Sequence, residues 1–453
     1  MNEAAPARIR QLWTACCLIV GAAGVHATVP DSRIINFKDA IQIALAQNTA
    51  IALATNAAAR DDVSVSEARS QFLPDLRLST SAVRYYGRFF SQIDGRIIDQ
   101  ATDLINLGAV SGMTLFEGWH DVAALHGAKL MRAAGQFELQ RTRETVIFAV
   151  ISNFLALLQD REQLRVVREN LAAETRLQDE IQVYVEGGSR TTADLYTQQA
   201  AVASAHLTVV NAERAVELGT VDLMQTLHLD PQGACEFVAP DERSMAAAGE
   251  PVNLETLRSR ALSRRNDIAA EQARVKAAEE NVRVAHSAFW PSVSLTGAYG
   301  TGYSSPSSLA SSQQLSLNRA GSVAIDISIP LYDRGAARSA SLRAELQLQQ
   351  ARIVLDNLQE EVGLQVRRAH LEFQSALAQL SAAEARRRAA DKALEAAQFR
   401  YETGASTLVE LAQARADSVQ AQSALVGARY NLLLQRTFID YESGDLTPES
   451  SLQ

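Results

Sequence analysis

The sequence predicts a mostly α-helical chain with a smaller β part, built from one module repeated twice. Three observations predict it. No proline falls between Pro74 and Pro231 or between Pro330 and Pro448. An interior proline costs a helix about 3 kcal/mol, so both blocks can hold long helices. Matching segments recur in the same order at offsets of 217 and 216: Phe72-Leu73-Pro74 with Phe289-Trp290-Pro291 (289 − 72 = 217), and Leu115-Phe116-Glu117 with Leu331-Tyr332-Asp333 (331 − 115 = 216). Glu186-Gly187-Gly188-Ser189 with Glu402-Thr403-Gly404-Ala405 and Asp194-Leu195 with Glu410-Leu411 follow at 216 as well. A spacing this long is a two-fold repeat of a large module rather than a solenoid. Finally, short stretches alternate apolar with small or polar residues, the period of a strand.

The chain opens on a targeting signal. Arg8 and Arg10 precede the apolar run Leu12 to Val25, and Val25-His26-Ala27 offers small residues for cleavage. This reads as a secretory signal over 1–27, because spanning a bilayer needs about 20 apolar residues. Cys16 and Cys17 sit inside the run instead of closing it, so lipid attachment is not expected; only Cys235 follows, which excludes an intrachain disulfide. No later stretch is apolar enough for a transmembrane helix, so any membrane span has to be made of strands.

The expected modules are residues 28–235 and 253–446, with a linker at 236–252 and a tail at 447–453. Each begins with a helix, Phe37 to about Gln71 and Leu254 to about Ala288, stopped by Pro74 and Pro291. Two strands follow. In the second module Val293, Leu295 and Tyr299, then Val323, Ile325, Ile327 and Ile329, alternate with Ser, Thr, Ala, Gly and Asp326. Such strands carry one apolar face, which in a membrane barrel meets lipid while the other lines water. Residues 76–90 and 107–116 of the first module alternate poorly and contain Arg77, Arg84 and Arg88, so the repeat places them as strands. The connections 91–106 and 304–319 both join paired strands at the end far from the helices and are expected outside the cell; the second, Ser-rich with Pro306 and no apolar periodicity, is also expected to be mobile.

Long helices follow, Trp119–Val185 and Gly335–Tyr401, each about 100 Å at a rise of ~1.5 Å per residue. In the second, Leu355, Leu358, Val362, Val366, Ala369, Phe373, Ala376, Leu380 and Ala383 advance 28 residues in eight steps. The mean of 3.5 is the coiled-coil period. Turns at Gly187-Gly188 and Gly404 lead into return helices over roughly 194–228 and 407–441.

Nothing points to catalysis, a cofactor or a bound metal. None of the seven histidines forms a His-Glu-x-x-His motif, and His120 and His126, six apart, read as helix-surface residues. Gly297, Gly300 and Gly302 lie in a strand pattern with no helix after them, unlike a phosphate loop. A formal net charge of -9 argues against a nucleic-acid surface.

The order helix, Phe-x-Pro, strand pair, very long helix, Gly turn and return helix, twice over, resembles the TolC-like outer membrane efflux proteins. The sharpest match is Arg400-Tyr401-Glu402-Thr403-Gly404-Ala405-Ser406-Thr407-Leu408-Val409-Glu410-Leu411, supported by Ala428-Arg429-Tyr430-Asn431 and Tyr441-Glu442-Ser443-Gly444-Asp445-Leu446. The resemblance covers about 36–446. It implies a homotrimer with one twelve-stranded outer membrane β-barrel that continues into a long periplasmic α-helical coiled-coil barrel. It further implies a passive duct serving a periplasmic adaptor protein and an inner membrane pump of ABC, resistance-nodulation-division or major-facilitator type. By the same motif Tyr401 and Asp194 correspond to a gate pair. Glu410 and Gln413 stand at two selectivity carboxylates, the second now a neutral amide. Ser406 replaces a linking arginine, while Arg190 occupies the equivalent point of the first repeat. A periplasmic coiled-coil scaffold or adaptor is the alternative; the two strand pairs, the full duplication and the lack of a lipoyl-like half-module weigh against it.

Overall fold

A computed structural model describes residues 33–91, 95–99, 101–230, 235–238 and 253–447. The expected signal over 1–27, residues 239–252 of the linker and 448–453 of the tail lie outside the described residues. In chain order the first module holds β1 (Arg33–Asn36), α1 (Phe37–Gln47), α2 (Thr49–Ser70), β2 (Arg77–Tyr85), β3 (Arg88–Ser91), β4 (Arg96–Asp99), β5 (Thr102–Glu117), α3 (His120–Glu186) and α4 (Thr192–Leu227). After β6 (Cys235–Val238) the second holds α5 (Leu254–Arg264), α6 (Asn266–Ser287), β7 (Ser292–Ser304), α7 (Ser311–Leu317), β8 (Ala320–Ser328), α8 (Ala336–Glu402) and α9 (Leu408–Ser443). The two long helices have 67 residues each and the two return helices 36 each, so the duplication holds to the residue.

Each opening helix, expected to be continuous, is broken. Asn48 and Arg265 both adopt extended backbone, at ψ 128° and 127°, and the break recurs at the repeat offset (265 − 48 = 217). Asn48 caps α2 by accepting from the Ala50 amide. Arg265 has no such oxygen; its guanidinium is buried and donates to Asp267, Gln365 and Glu442. Neither break involves proline or glycine, which is why periodicity runs through them.

The four long strands form one antiparallel sheet in the order β2-β5-β7-β8, joining both modules through β5 and β7. The register sets Val293 opposite Ile327, Leu295 opposite Ile325 and Tyr299 opposite Ala109. Residues directly opposite share a face, so the apolar strings of β7 and β8 lie together, with Met113, Phe116, Leu107 and Ile105 of β5. The other face carries Ser294, Thr296, Ala298 and Gly300, with Asp326 beside Ser294. Val323, Ile325 and Ile327 stand more than three-fifths exposed on the edge strand; Val293 and Leu295, flanked on both sides, are half-buried. Ile329 falls one residue beyond β8 and is also exposed. Arg77 and Arg84 are accommodated in β2 by ion pairs with Asp75 and Asp103, each at 2.6 Å.

The connections differ from expectation. Residues 91–106 contain β4 and the start of β5, and β3 pairs with β4 as a separate ribbon. Residues 304–319 contain the short helix α7, folded onto β7 rather than loose. The Gln314 amide oxygen accepts from the Ser304 N–H at 2.8 Å, and Thr301 and Asn318 side chains donate to the Leu315 and Gly302 carbonyls. A helix tied down by side-chain to backbone bonds needs no apolar periodicity, so its sequence gives no helical signal.

The largest core cluster lies between α1, α3 and α4 and the small parallel sheet β1-β6. Phe154 is fully buried, edge-on to Phe37 at 5.1 Å and to Phe237 at 6.3 Å. Burying one such ring contributes about 1.5–3 kcal/mol. Residue 236, expected in the linker, therefore belongs to a strand. In α8 the coiled-coil stripe is buried at Val362, Val366, Ala369, Phe373 and Ala376 and half-buried at its outer members.

The second module also holds a half-buried carboxylate at a position where the first has an apolar residue. Asp440 of α9 corresponds to Met224 (440 − 216 = 224), itself buried. Burial holds the Asp440 carboxyl above its ordinary range, Arg436 and Arg260 offsetting only part. A raised folded pKa means that stability is present below the unfolded value near 3.8 and falls as pH rises through the folded one. Asp440→Asn should therefore raise the melting temperature at pH 7 and change little below about pH 4. Circular dichroism melts at the two pH values check this; an equal shift at both would count against burial as the cause.

Candidate functional site at the hairpin tips

The ends of the α3-α4 and α8-α9 hairpins lie side by side. Each tip follows the same local chemistry. A glycine in the left-handed region, Gly188 at φ 71° or Gly404 at φ 74°, reverses the chain. Thr191 or Thr407 then caps the return helix by accepting from the amide three residues on. An added Cβ at Gly188 or Gly404 would meet nothing within 4 Å, so backbone conformation alone calls for glycine there. Gly187, at φ −80°, carries no such requirement, and Thr403 takes its place in the second tip.

A small apolar cluster of Leu177, Ile181, Ala397, Tyr401, Leu408 and Leu411 joins the tips. Tyr401 is buried at its centre. Arg190, from the other hairpin, lays its guanidinium 4.4 Å from the Tyr401 ring centre and donates to the Tyr401 carbonyl at 3.2 Å. A cation over a tyrosine face contributes roughly 0.5–2 kcal/mol, depending on desolvation. The Tyr401 hydroxyl has no hydrogen-bond partner among the described residues, nor has the buried Ser406 hydroxyl. Burial holds the Tyr401 phenol above its ordinary value, with Arg190 opposing.

Of the residues expected to form a gate, Arg190 and Tyr401 are thus in contact, while Asp194 is engaged elsewhere. Its carboxylate accepts from the Thr191 N–H at 3.2 Å and from the Thr191 hydroxyl at 2.8 Å, completing a reciprocal capping box. The Thr191-x-x-Asp194 spacing carries that signal in sequence. Glu410 lies exposed at the first turn of α9, its carboxylate 3.9 Å from the Arg400 guanidinium. Gln413 donates to Asp417 at 3.2 Å. Three residues that sequence reading missed lock the hairpins together. Arg415 reaches from α9 to the Ala173 carbonyl and to Glu174 of α3, and Gln198 of α4 also donates to Glu174. A polar residue buried within a helix stripe is the signal that could have found them.

The sheet and the paired hairpins define a class, and comparison with known proteins agrees. Residues 257–438 match the family described as Outer membrane efflux protein. The chain is 23% identical over 354 residues to the outer membrane efflux protein BepC of Brucella suis, covering 77% of this chain and 75% of that one. It is 23% identical over 370 residues to the outer membrane protein TolC of Vibrio cholerae, covering 82% of each. The fold is that of the solved outer membrane protein VceC from Vibrio cholerae, with a TM-score of 0.76 at 20% identity over 90% of this chain and 96% of that one. The chain is thus similar to outer membrane efflux proteins, by the family match over its second module and by these relatives over most of its length.

Proposed function

We propose that three copies of this chain close their sheets into one twelve-stranded barrel and continue it as a periplasmic helical tunnel, a passive export duct. The single observation that carries this reading is the β2-β5-β7-β8 sheet, whose strands β7 and β8 carry one apolar and one small polar face, with an outer strand at each margin. Four strands cannot close a membrane barrel, since bacterial barrels start at about eight. Pairing β8 of one copy with β2 of the next would remove both edges. The strands of 9, 16, 13 and 9 residues meet the roughly 9–11 needed to span a bilayer. In this reading the hairpin tips, with Gly188 and Gly404, meet a periplasmic adaptor and an inner membrane pump supplies the energy; the duct itself does no chemistry.

The Arg190–Tyr401 contact then acts as the latch between neighbouring hairpins. Glu410 and Asp417, two turns apart on α9, supply the acidic positions, with Gln413 bridging to the second. Rings of carboxylates favour cations in a pore. Purified protein in planar bilayers should conduct. Arg190→Ala with Tyr401→Phe should raise single-channel conductance severalfold with trimers intact, and Glu410→Ala with Asp417→Ala should lower cation preference. Wild-type behaviour from both double variants would place the constriction elsewhere.

A further inference from the structure

The sheet passes into α3 through a turn in which two consecutive residues are left-handed, Gly118 at φ 56° and Trp119 at φ 67°. A Cβ on Gly118 would lie 2.6 Å from the Ser287 carbonyl oxygen, so the turn is held tightly against the end of α6. It gathers Glu117, His120 and Asp121, whose potential ligand atoms all lie within 4.8 Å of one another. His120 Nδ1 is 3.0 Å from Asp121 Oδ1, and these two side chains are 38% and 18% exposed. Glu117 is exposed and pairs across the sheet with Ser292, on the small polar face. The group is therefore open to water from that face.

The second module supplies an internal control. The same turn recurs there with Arg334 at φ 61° and Gly335 at φ 82°. Asp333 stands where Glu117 stands (333 − 117 = 216) and accepts from the Gly335 and Ala337 amides at 2.9 and 2.6 Å, capping α8. His120 and Asp121 are matched by Ala336 and Ala337. The fold thus asks for one capping carboxylate. In the first module α3 has no side-chain cap, and Glu117, His120 and Asp121 are left as three donors without that duty. Sequence spacing set His120 aside because His126 lies six residues on; its partners are carboxylates at three residues before and one after.

We propose that Glu117, His120 and Asp121 form a binding site for a divalent transition-metal cation of the zinc type. One imidazole with two carboxylates suits zinc and its borderline neighbours better than calcium, which takes oxygen ligands throughout. Around a tetrahedral zinc at 2.0–2.2 Å, ligand atoms stand about 3.4 Å apart, within reach of rotation about the torsions of exposed Glu117. Three protein ligands leave a position open for water or a passing ligand. The site lies within one chain; its position on the wall of a duct, where barrel meets tunnel, rests on the proposed function.

The test uses full-length protein in detergent, stripped with chelator and titrated with Zn²⁺ by calorimetry and with Co²⁺ by visible absorption. One ion per chain should bind. His120→Ala should weaken binding at least about tenfold and abolish the tetrahedral Co²⁺ spectrum, while His126→Ala, exposed farther along α3, should bind as wild type. Absence of a stoichiometric site, or unchanged binding by His120→Ala, would overturn the proposal. Should His120→Ala lose helical circular dichroism, Glu117→Gln at the exposed strand end gives the same reading: weakened binding supports the site and unchanged binding overturns it. Because the readout is ion uptake by the chain, its failure is separable from failure of the duct reading, which bilayer conductance reports.

Discussion

Arg265→Ala should be the most damaging single change away from the membrane, lowering stability by about 3–5 kcal/mol per chain, the cost of stripping one partner from a buried ion pair. Arg265 is 4% exposed and sits at the break between α5 and α6. It donates to Asp267 at 2.6 Å, to Gln365 of α8 at 3.0 Å and to Glu442 of α9. Arg141 of α3 continues the network, pairing with Glu144 at 3.0 Å and lying 4.0 Å above the Tyr441 ring. Glu144 in turn accepts from Asn266. Removal of Arg265 would leave Glu442, 6% exposed, without its cation. Arg165 provides the contrast. It is bonded to Glu162 and Glu169, but all three lie on one helix surface with Arg165 half-exposed, and exposed pairs contribute roughly 0–1 kcal/mol. Denaturant midpoints of Arg265→Ala and Arg165→Ala should differ clearly. Equal, small losses would mean that the buried network does not hold the module junction.

In the sheet, Ile325→Arg and Ile327→Arg should each cost about 2–4 kcal/mol if they meet lipid near the bilayer midplane, with less nearer an interface. Ser328→Arg, one residue on but on the opposite face, should be tolerated far better. Adjacent positions of one strand thus serve as their own control for expression and secretion. Heat-resistant trimer recovered from outer membranes measures the outcome. Similar yields for Ile327→Arg and Ser328→Arg would mean that the apolar face does not contact lipid.

Much of this architecture was legible because the chain describes itself twice. The repeat placed the first-module strands although their alternation is poor. Their arginines are explained only by the fold, which supplies Asp75 and Asp103 as partners. Both long helices were readable within a residue because proline is absent and glycine turns close them. The breaks at Asn48 and Arg265 were not, since polar capping and a buried guanidinium interrupt the backbone without changing apolar spacing. Nor were β1 and β6, whose four-residue strands pair across 200 residues (235 − 33 = 202) and have no local signal. At the hairpin tips the motif and the repeat found both Tyr401 and Arg190, but the stacking of the Arg190 guanidinium on the Tyr401 ring across the two modules is set by the fold. Gln413 looked like a lost carboxylate; Asp417, one turn on, became visible only through their hydrogen bond.

The central claim is that this chain becomes a pore only as three copies in the outer membrane. Outer membranes separated from periplasm and run unheated on a denaturing gel test it most directly. The account predicts a membrane band at three times the 49.1 kDa chain, less any cleaved leader, collapsing to one chain on boiling. A soluble periplasmic monomer would contradict it.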